Sequence, residues 1–247
     1  MYCDRGRIED AERCYQAALA IHRETGNRRS ECLALLNLGT LCSDIGRNAE
    51  AHRHYPEALA IARELGDRRA EGAALGNLGT LLSVEGRAEE ALHCTEGALA
   101  IAREIGDRRS EGISVGNRGD MLHAMGRLAE ARADLEAGLA IAREVGHRRH
   151  EGAMLGSLAR VLADLGETAP AEAALREAEA LLRAIGDPYG VAGVLCVRGM
   201  AELAAGRHDA ARATLQEAER LARELGLEGD SGLGQDLAQL RSRLGAG

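Results

Sequence analysis

The sequence predicts an all-α chain, a solenoid in which antiparallel helix pairs stack side by side. Three observations carry this. Glycine recurs without slippage at Gly6, Gly46, Gly86, Gly126, Gly166 and Gly206, and again at Gly26, Gly66, Gly106, Gly146, Gly186 and Gly226, both series in steps of 40. Alanine keeps the same step at Ala11, Ala51, Ala91, Ala131, Ala171 and Ala211. The third observation is compositional: the chain has three prolines, 2% aromatics, and neither Trp nor Phe. Its core must therefore be built from Leu, Ala, Ile, Val and Met, small or straight side chains that suit helices in close contact. A fixed period of this length is the signature of stacked structural repeats.

Taken in order, residues 1–26 read as a partial repeat, a stub of helix A (residues 1–5) followed by a helix B marked by Ala11, Tyr15 and Ala18. Five full repeats follow at 27–66, 67–106, 107–146, 147–186 and 187–226, each reading as helix A, a tight turn, helix B and a short link. The repeat at 67–106 shows the pattern best. Its helix A carries the stripe Leu75, Leu78, Gly79 and Leu82. Its helix B carries Ala91, Thr95, Ala98, Ala102 and Ile105, one face of a helix. Glycines that close each stretch suit a left-handed C′ position, where the missing Cβ removes a steric penalty. Gly76, Gly79, Gly116 and Gly119 fall inside helix A, where each costs about 1 kcal/mol against Ala; close approach of neighbouring backbones is the expected reason for them. Pro56 is expected to kink its helix B, because it deletes an intrahelical hydrogen bond. Arg198 and Glu202, four residues apart, are expected to pair. The last full repeat opens with Asp187-Pro188-Tyr189-Gly190 in place of Asp-Arg-Arg.

The two ends differ. Residues 227–247 read as a capping helix, with Leu233, Leu237, Leu240 and Leu244 on one face and Arg241 and Arg243 outside. At the start, a helix B without a full partner leaves apolar surface uncovered, whereas repeat arrays need polar ends. Self-association or intramolecular docking through that end is expected, as in the downstream part of a longer protein. An immediate in-frame stop codon upstream of Met1 would remove the longer protein.

The formal net charge of −8 argues against general nucleic-acid binding, which needs a cationic surface to displace counterions. Every basic residue other than histidine is Arg, which reads first as genomic composition bias. The six cysteines are irregularly spaced without a CxxC pair and read as free core thiols in a reducing compartment. The opening MYCDRGRIEDAE is polar, unlike a signal peptide. No apolar run approaches the roughly 20 residues of a membrane span. A cytoplasmic chain without a membrane partner is the expectation.

Catalytic constellations are not legible. His52 and His54 are two apart and do not share a helix face, while His147 and His150 flank Arg148 and Arg149, whose charge opposes a metal cation. GxxxxGK[ST] and GxGxxG are missing, and Gly76-x-x-Gly79 lies within a helix rather than at a strand-to-helix turn. No enzyme activity, metal or cofactor is expected.

Helix A carries Asn-Leu-Gly at Asn37-Leu38-Gly39 and Asn77-Leu78-Gly79, and helix B carries Ala-x3-Tyr-x2-Ala at Ala11-Tyr15-Ala18 and Ala51-Tyr55-Ala58. These motifs resemble tetratricopeptide (TPR) repeats. The 40-residue unit is similar to the subclass in kinesin light chains and Pins-type adaptors, and the resemblance spans about residues 1–226. Arg118 and Arg198 depart from it, replacing the Leu of Asn-Leu-Gly. The resemblance implies a right-handed superhelical solenoid with helix A lining a concave groove. Opposite the leucine stripe, the groove face would present Arg29, Leu33, Asn37, Thr40 and Asp44, then Arg69, Ala73, Asn77, Thr80 and Val84. Arg109, Ile113, Asn117, Asp120 and Ala124 follow, then Arg149, Ala153, Ser157, Arg160 and Asp164. In similar arrays, asparagines at this position touch the backbone of a bound peptide. An amide both donates and accepts, so Asn37, Asn77 and Asn117 suit that role; equally, they suit a bond to neighbouring backbone that fixes the repeats. Arg29, Arg69, Arg109 and Arg149 suit acidic side chains or a carboxylate. Thr40, Thr80, Asp120 and Ser157 complete the candidate surface, and the small Ala73, Gly76, Gly116 and Gly156 leave room. The paired arginines from Arg28, Arg68, Arg108 and Arg148 suit either a solvated or helix-linking role or a specific one with the preceding acids Asp67 and Asp107. The expected function is a scaffold that binds an extended, acidic peptide segment of another protein. The alternative is a regulatory or sensor segment of a larger bacterial signalling protein, a transcriptional activator or signalling ATPase, acting within its own chain.

Overall fold

The computed structural model describes residues 5–226 and 232–245. Most of the helix A stub expected at residues 1–5, and residues 227–231 and 246–247 of the expected cap, lie outside that range. Every described element is an α-helix. The chain forms two compact units that meet in sequence at Met125 and Gly126. The first holds α1 (Arg5–Glu24), α2 (Arg28–Asp44), α3 (Asn48–Glu64), α4 (Arg68–Val84), α5 (Ala88–Glu104) and α6 (Arg108–Ala124). The second holds α7 (Leu128–Glu144), α8 (Arg148–Asp164), α9 (Thr168–Ala184), α10 (Pro188–Ala204), α11 (His208–Glu224) and α12 (Gly232–Gly245).

Each helix boundary has a local chemical cause. Most A helices start on an Asx cap: the amides of Ser30, Ala70, Ser110 and Gly190 donate to the side chains of Asn27, Asp67, Asp107 and Asp187 at 3.2, 3.1, 3.1 and 3.1 Å. Such a cap contributes about 1 kcal/mol. The B helices from α3 onward lack a side-chain cap and are launched by the turn itself. At that turn the amide of Gly46 donates to the Ser43 carbonyl (3.1 Å) and that of Arg47 to the Cys42 carbonyl (2.8 Å), with Gly46 at φ 76°. This paired closure needs the left-handed backbone that glycine supplies.

Within a unit, the backbones of successive A helices approach closely (α2 with α4, α4 with α6; α8 with α10, α10 with α12), while successive B helices meet only through long side chains, as in the ion pairs Arg143–Glu177 and Arg183–Glu217. The A side is therefore the tighter, inner side of each unit. Small residues set the A–B spacing. Ala91, Ala98 and Ala102 of α5 are buried against α4, and a Cβ on Gly79 would stand 2.5 Å from Thr95 Oγ1 and 3.1 Å from the Ala91 carbonyl oxygen. Close approach thus accounts for Gly79. It does not account for Gly76, where a Cβ would meet nothing nearer than Ala98 Cβ at 3.8 Å.

Other expectations are refined. Helix α3 runs through Pro56 without a break and is as long as α5. Arg198 and Glu202 do not pair with each other. Arg198 reaches back to Glu179 of α9, and Glu202 accepts from the Thr214 hydroxyl of α11 at 2.7 Å; the packed B helices on either side draw the two apart. Cys32, Cys42 and Cys196 are buried, whereas Cys14 is exposed and so is not a core residue. Burial pushes the Cys196 thiol up to about 12, which keeps it protonated and inert. On α12, Leu233, Leu237, Leu240 and Leu244 are all buried, and Leu240 lies against Gly199 of α10. On α1, Ile21 is 56% exposed, although its equivalents Ile61, Ile101 and Ile141 are 1%, 4% and 7% exposed.

Candidate functional site

The inner face of the first unit carries three parallel rows, one residue from each A helix per row. The middle row is Asn37, Asn77 and Asn117, with Asn37 exposed and the other two half-buried. Beside it run Thr40, Thr80 and Asp120, all exposed. The Thr40 hydroxyl donates to the Leu36 carbonyl at 3.0 Å, and that of Thr80 to the Gly76 carbonyl at 3.1 Å. Each hydroxyl oxygen is then left to accept, and it does: Asn77 Nδ2 donates to Thr40 Oγ1 at 3.3 Å and Asn117 Nδ2 to Thr80 Oγ1 at 3.4 Å. This chain of bonds fixes which way each amide faces. One N–H is spent on the preceding repeat. The Oδ1 acceptor and the second N–H have no partner among the described residues. The bond to a neighbouring side chain differs from the backbone bond considered from sequence.

The third row is Arg29, Arg69 and Arg109, all exposed. Arg29 Nε lies 3.3 Å from Asp67 Oδ2, and Arg69 Nη1 lies 3.2 Å from Asp107 Oδ2. Arg29 and Arg69 thus each hold the capping aspartate of the next A helix. In the second unit Arg149 Nε does the same to Asp187 at 2.7 Å, and Ser157 is half-buried on α8. The Ser110 amide, joined by Arg69, holds the Asp107 carboxyl below its ordinary value. The guanidinium groups keep most of their surface in water, Arg29 at 73% and Arg69 at 76% exposed. Leu33 and Val84 are exposed on the same face.

The arginines one place earlier do something else, and here the structure corrects the pairing with the preceding aspartate. Arg28 Nη1 donates to Glu31 Oε2 at 2.8 Å, and Arg23 Nε donates to Oε1 of the same carboxylate at 3.1 Å. Glu71, Glu111 and Glu151 are gripped in the same way by Arg63 with Arg68, Arg103 with Arg108, and Arg143 with Arg148. These glutamates belong to the frame rather than to the groove. Sequence reasoning missed them, although the pattern Arg-Arg-x-Glu recurs in steps of 40 from Arg28.

The opposite side also carries hollows. One of about 470 Å³ lies between α3 and α5 over α4, lined by Pro56, Leu78, Leu82, His93 and Cys94 among others. The histidines do not converge. His52 Nε2 lies 2.8 Å from Glu85 Oε2, and the rings of His147 and His150 stack at 5.5 Å. Among the described residues no three His, Cys, Asp or Glu side chains gather as a metal set. No described helix is long and apolar enough to cross a membrane.

Helix pairs repeating at 40 residues, with A helices inside, define a tetratricopeptide repeat array. The match to known families is specific: residues 1–200 fit the MalT-like TPR region. The chain belongs to that family. A shorter stretch, 194–228, resembles anaphase-promoting complex subunit 5. No curated protein matches by sequence. Among solved structures, the apo form of RapI superposes with a TM-score of 0.75 at 16% identity, covering 98% of this chain and 94% of that one. A Rap protein complexed with Competence and Sporulation Factor gives 0.66 at 14% identity, over 98% and 74%. A STAND protein with a TPR sensor from Pyrococcus horikoshii gives 0.61 at 15% identity, covering 96% of this chain but 42% of that one. At such identities the likeness is one of fold.

Proposed function

We propose that the inner face of the first unit binds an extended peptide segment of a partner protein, with acidic side chains toward the arginine row, and that the chain acts as a cytoplasmic scaffold rather than an enzyme. The observation that carries this is the oriented amide. Asn77 and Asn117 are each braced by a threonine of the preceding repeat and keep one acceptor and one donor open toward the face. An extended backbone offers the complementary pair at every residue. The exposed guanidinium groups supply charge-assisted bonds to carboxylates, and the Rap complex is a precedent on the same fold.

The test is selection of binding peptides from a random displayed library, followed by affinity measurement on the N77A/N117A double variant. A loss of about tenfold or more, near 1.4 kcal/mol, with unchanged helicity supports the reading. Unchanged affinity rejects it.

A second reading is favoured by the likeness to the TPR sensor of the STAND protein. Here the array senses a ligand for a larger signalling chain. Genomic sequence upstream of Met1 tests it, and an immediate in-frame stop codon excludes it.

A further inference from the structure

The spacing of the rows specifies the shape of what lies on them. We infer that the first unit recognises a ligand in the left-handed polyproline II conformation, carrying an acidic side chain at every third position. This rests on the groove reading above and goes further, to the ligand's conformation and sequence period.

The successive A helices α2, α4 and α6 touch one another, and Asn–Thr hydrogen bonds of 3.3 and 3.4 Å span the two joints. Helices in such contact lie about 8–10 Å apart. The face therefore repeats Arg29, Arg69 and Arg109, and Asn37, Asn77 and Asn117, at that interval. A bound chain can satisfy every copy equally only if its own repeat along the axis is the same.

Two extended conformations compete. A β-strand rises about 3.3 Å per residue, but its side chains alternate between faces. Three residues cover the required distance, yet every third side chain then points the wrong way. Two residues restore the face but fall short, at about 6.6 Å. A polyproline II helix has three residues per turn and rises about 3.1 Å each, so one face recurs every 9 Å or so. Its backbone makes no internal hydrogen bonds, leaving N–H and C=O groups for the open halves of the Asn77 and Asn117 amides. One residue in three thus meets an amide and an arginine, and the other two face away.

The charge arrangement agrees. Asp67 spends Oδ1 on the α4 cap and Oδ2 on Arg29, and Asp107 does the same for α6 and Arg69. Each guanidinium gives one nitrogen to this contact and presents the rest of its fork to water. A ligand carboxylate can therefore join the arginine without displacing the aspartate.

The probe is a pair of fluorescein-labelled dodecamers of one composition. The first is (Glu-Pro-Ala)4; the second places its four Glu at alternate positions. Binding is read by anisotropy on the full chain, on R69Q/R109Q and on N77A/N117A. The period-three peptide is expected to bind about tenfold tighter. R69Q/R109Q should erase that preference, and N77A/N117A should weaken both peptides. Equal affinity for the two, or no binding of the first at millimolar concentration, overturns the inference. If affinities are equal and N77A/N117A still weakens both, the groove survives without its period. If N77A/N117A changes neither, the groove reading itself fails.

Discussion

Gly76 and Gly79 sit one turn apart on α4 and answer to different demands. Alanine at 79 would drive its Cβ toward the Ala91 carbonyl, a backbone atom that cannot swing aside. Gly79→Ala is expected to destabilise the fold by about 1–3 kcal/mol. Gly76→Ala makes only an ordinary contact with Ala98 Cβ at 3.8 Å and should stabilise the fold by about 0.5–1 kcal/mol through helix propensity. Urea midpoints of the two variants check this, and a neutral Gly79→Ala would remove the close-packing account. Sequence alone placed both glycines in one class, since both interrupt the same helix. What separates them is about one turn of rise along α4, which sets Gly79 level with Thr95 and the Ala91 carbonyl and Gly76 level with Ala98, a difference of height that periodicity does not resolve. The asparagines were legible as a row because they recur in steps of 40. Their tie to threonine was not, because it joins residues 37 apart through side-chain rotamers.

At the scale of the element, the start of each A helix is a small electrostatic assembly. Glu71 is nearly enclosed, with Arg63 Nε at 3.0 Å and Arg68 also bonded to it. Burial alone would raise its pKa, but the two guanidinium groups outweigh that and lower it. Glu71→Gln keeps the shape and loses the charge. It should cost about 1–2 kcal/mol, less than a fully enclosed ion pair, because Arg63 stays largely in water. The sign with pH follows. A carboxylate with a lowered folded pKa stabilises above its ordinary range and loses that contribution as acid takes pH through the lowered value. The gap between wild type and variant in urea titrations should therefore be full at pH 7 and close on acidification; a gap constant with pH would contradict this role. The sequence marked these helix starts through Asp-Arg-Arg but not the division of labour within them. The first arginine turns to the glutamate three residues on, and the second to an aspartate 38 residues on. That choice depends on how far each A helix is displaced along its neighbour.

At the scale of the whole chain, stability in a repeat array is a sum of local units and nearest-neighbour joints. Leu240 of α12 is fully buried against α10. Leu240→Ala should cost about 3 kcal/mol, felt at its own end. Hydrogen exchange should accelerate in α10–α12 and stay unchanged in α2–α4, whereas uniform acceleration would show a single cooperative block. The fold class was the most legible feature of all, because the 40-residue step survives every substitution in the loops. The division into two compact units at Met125 and Gly126 left no trace in that step, since the repeat pattern runs through it unaltered. The joint between an arginine on one A helix and the capping aspartate of the next has a genetic consequence. It works as plug and socket, with both halves carried in the same stretch of forty codons. Duplicating or excising the stretch 67–106, which opens with Asp67 and carries Arg69, leaves a plug for that socket, so a lineage can lengthen or shorten this part of the array in a single recombination event while keeping the joint.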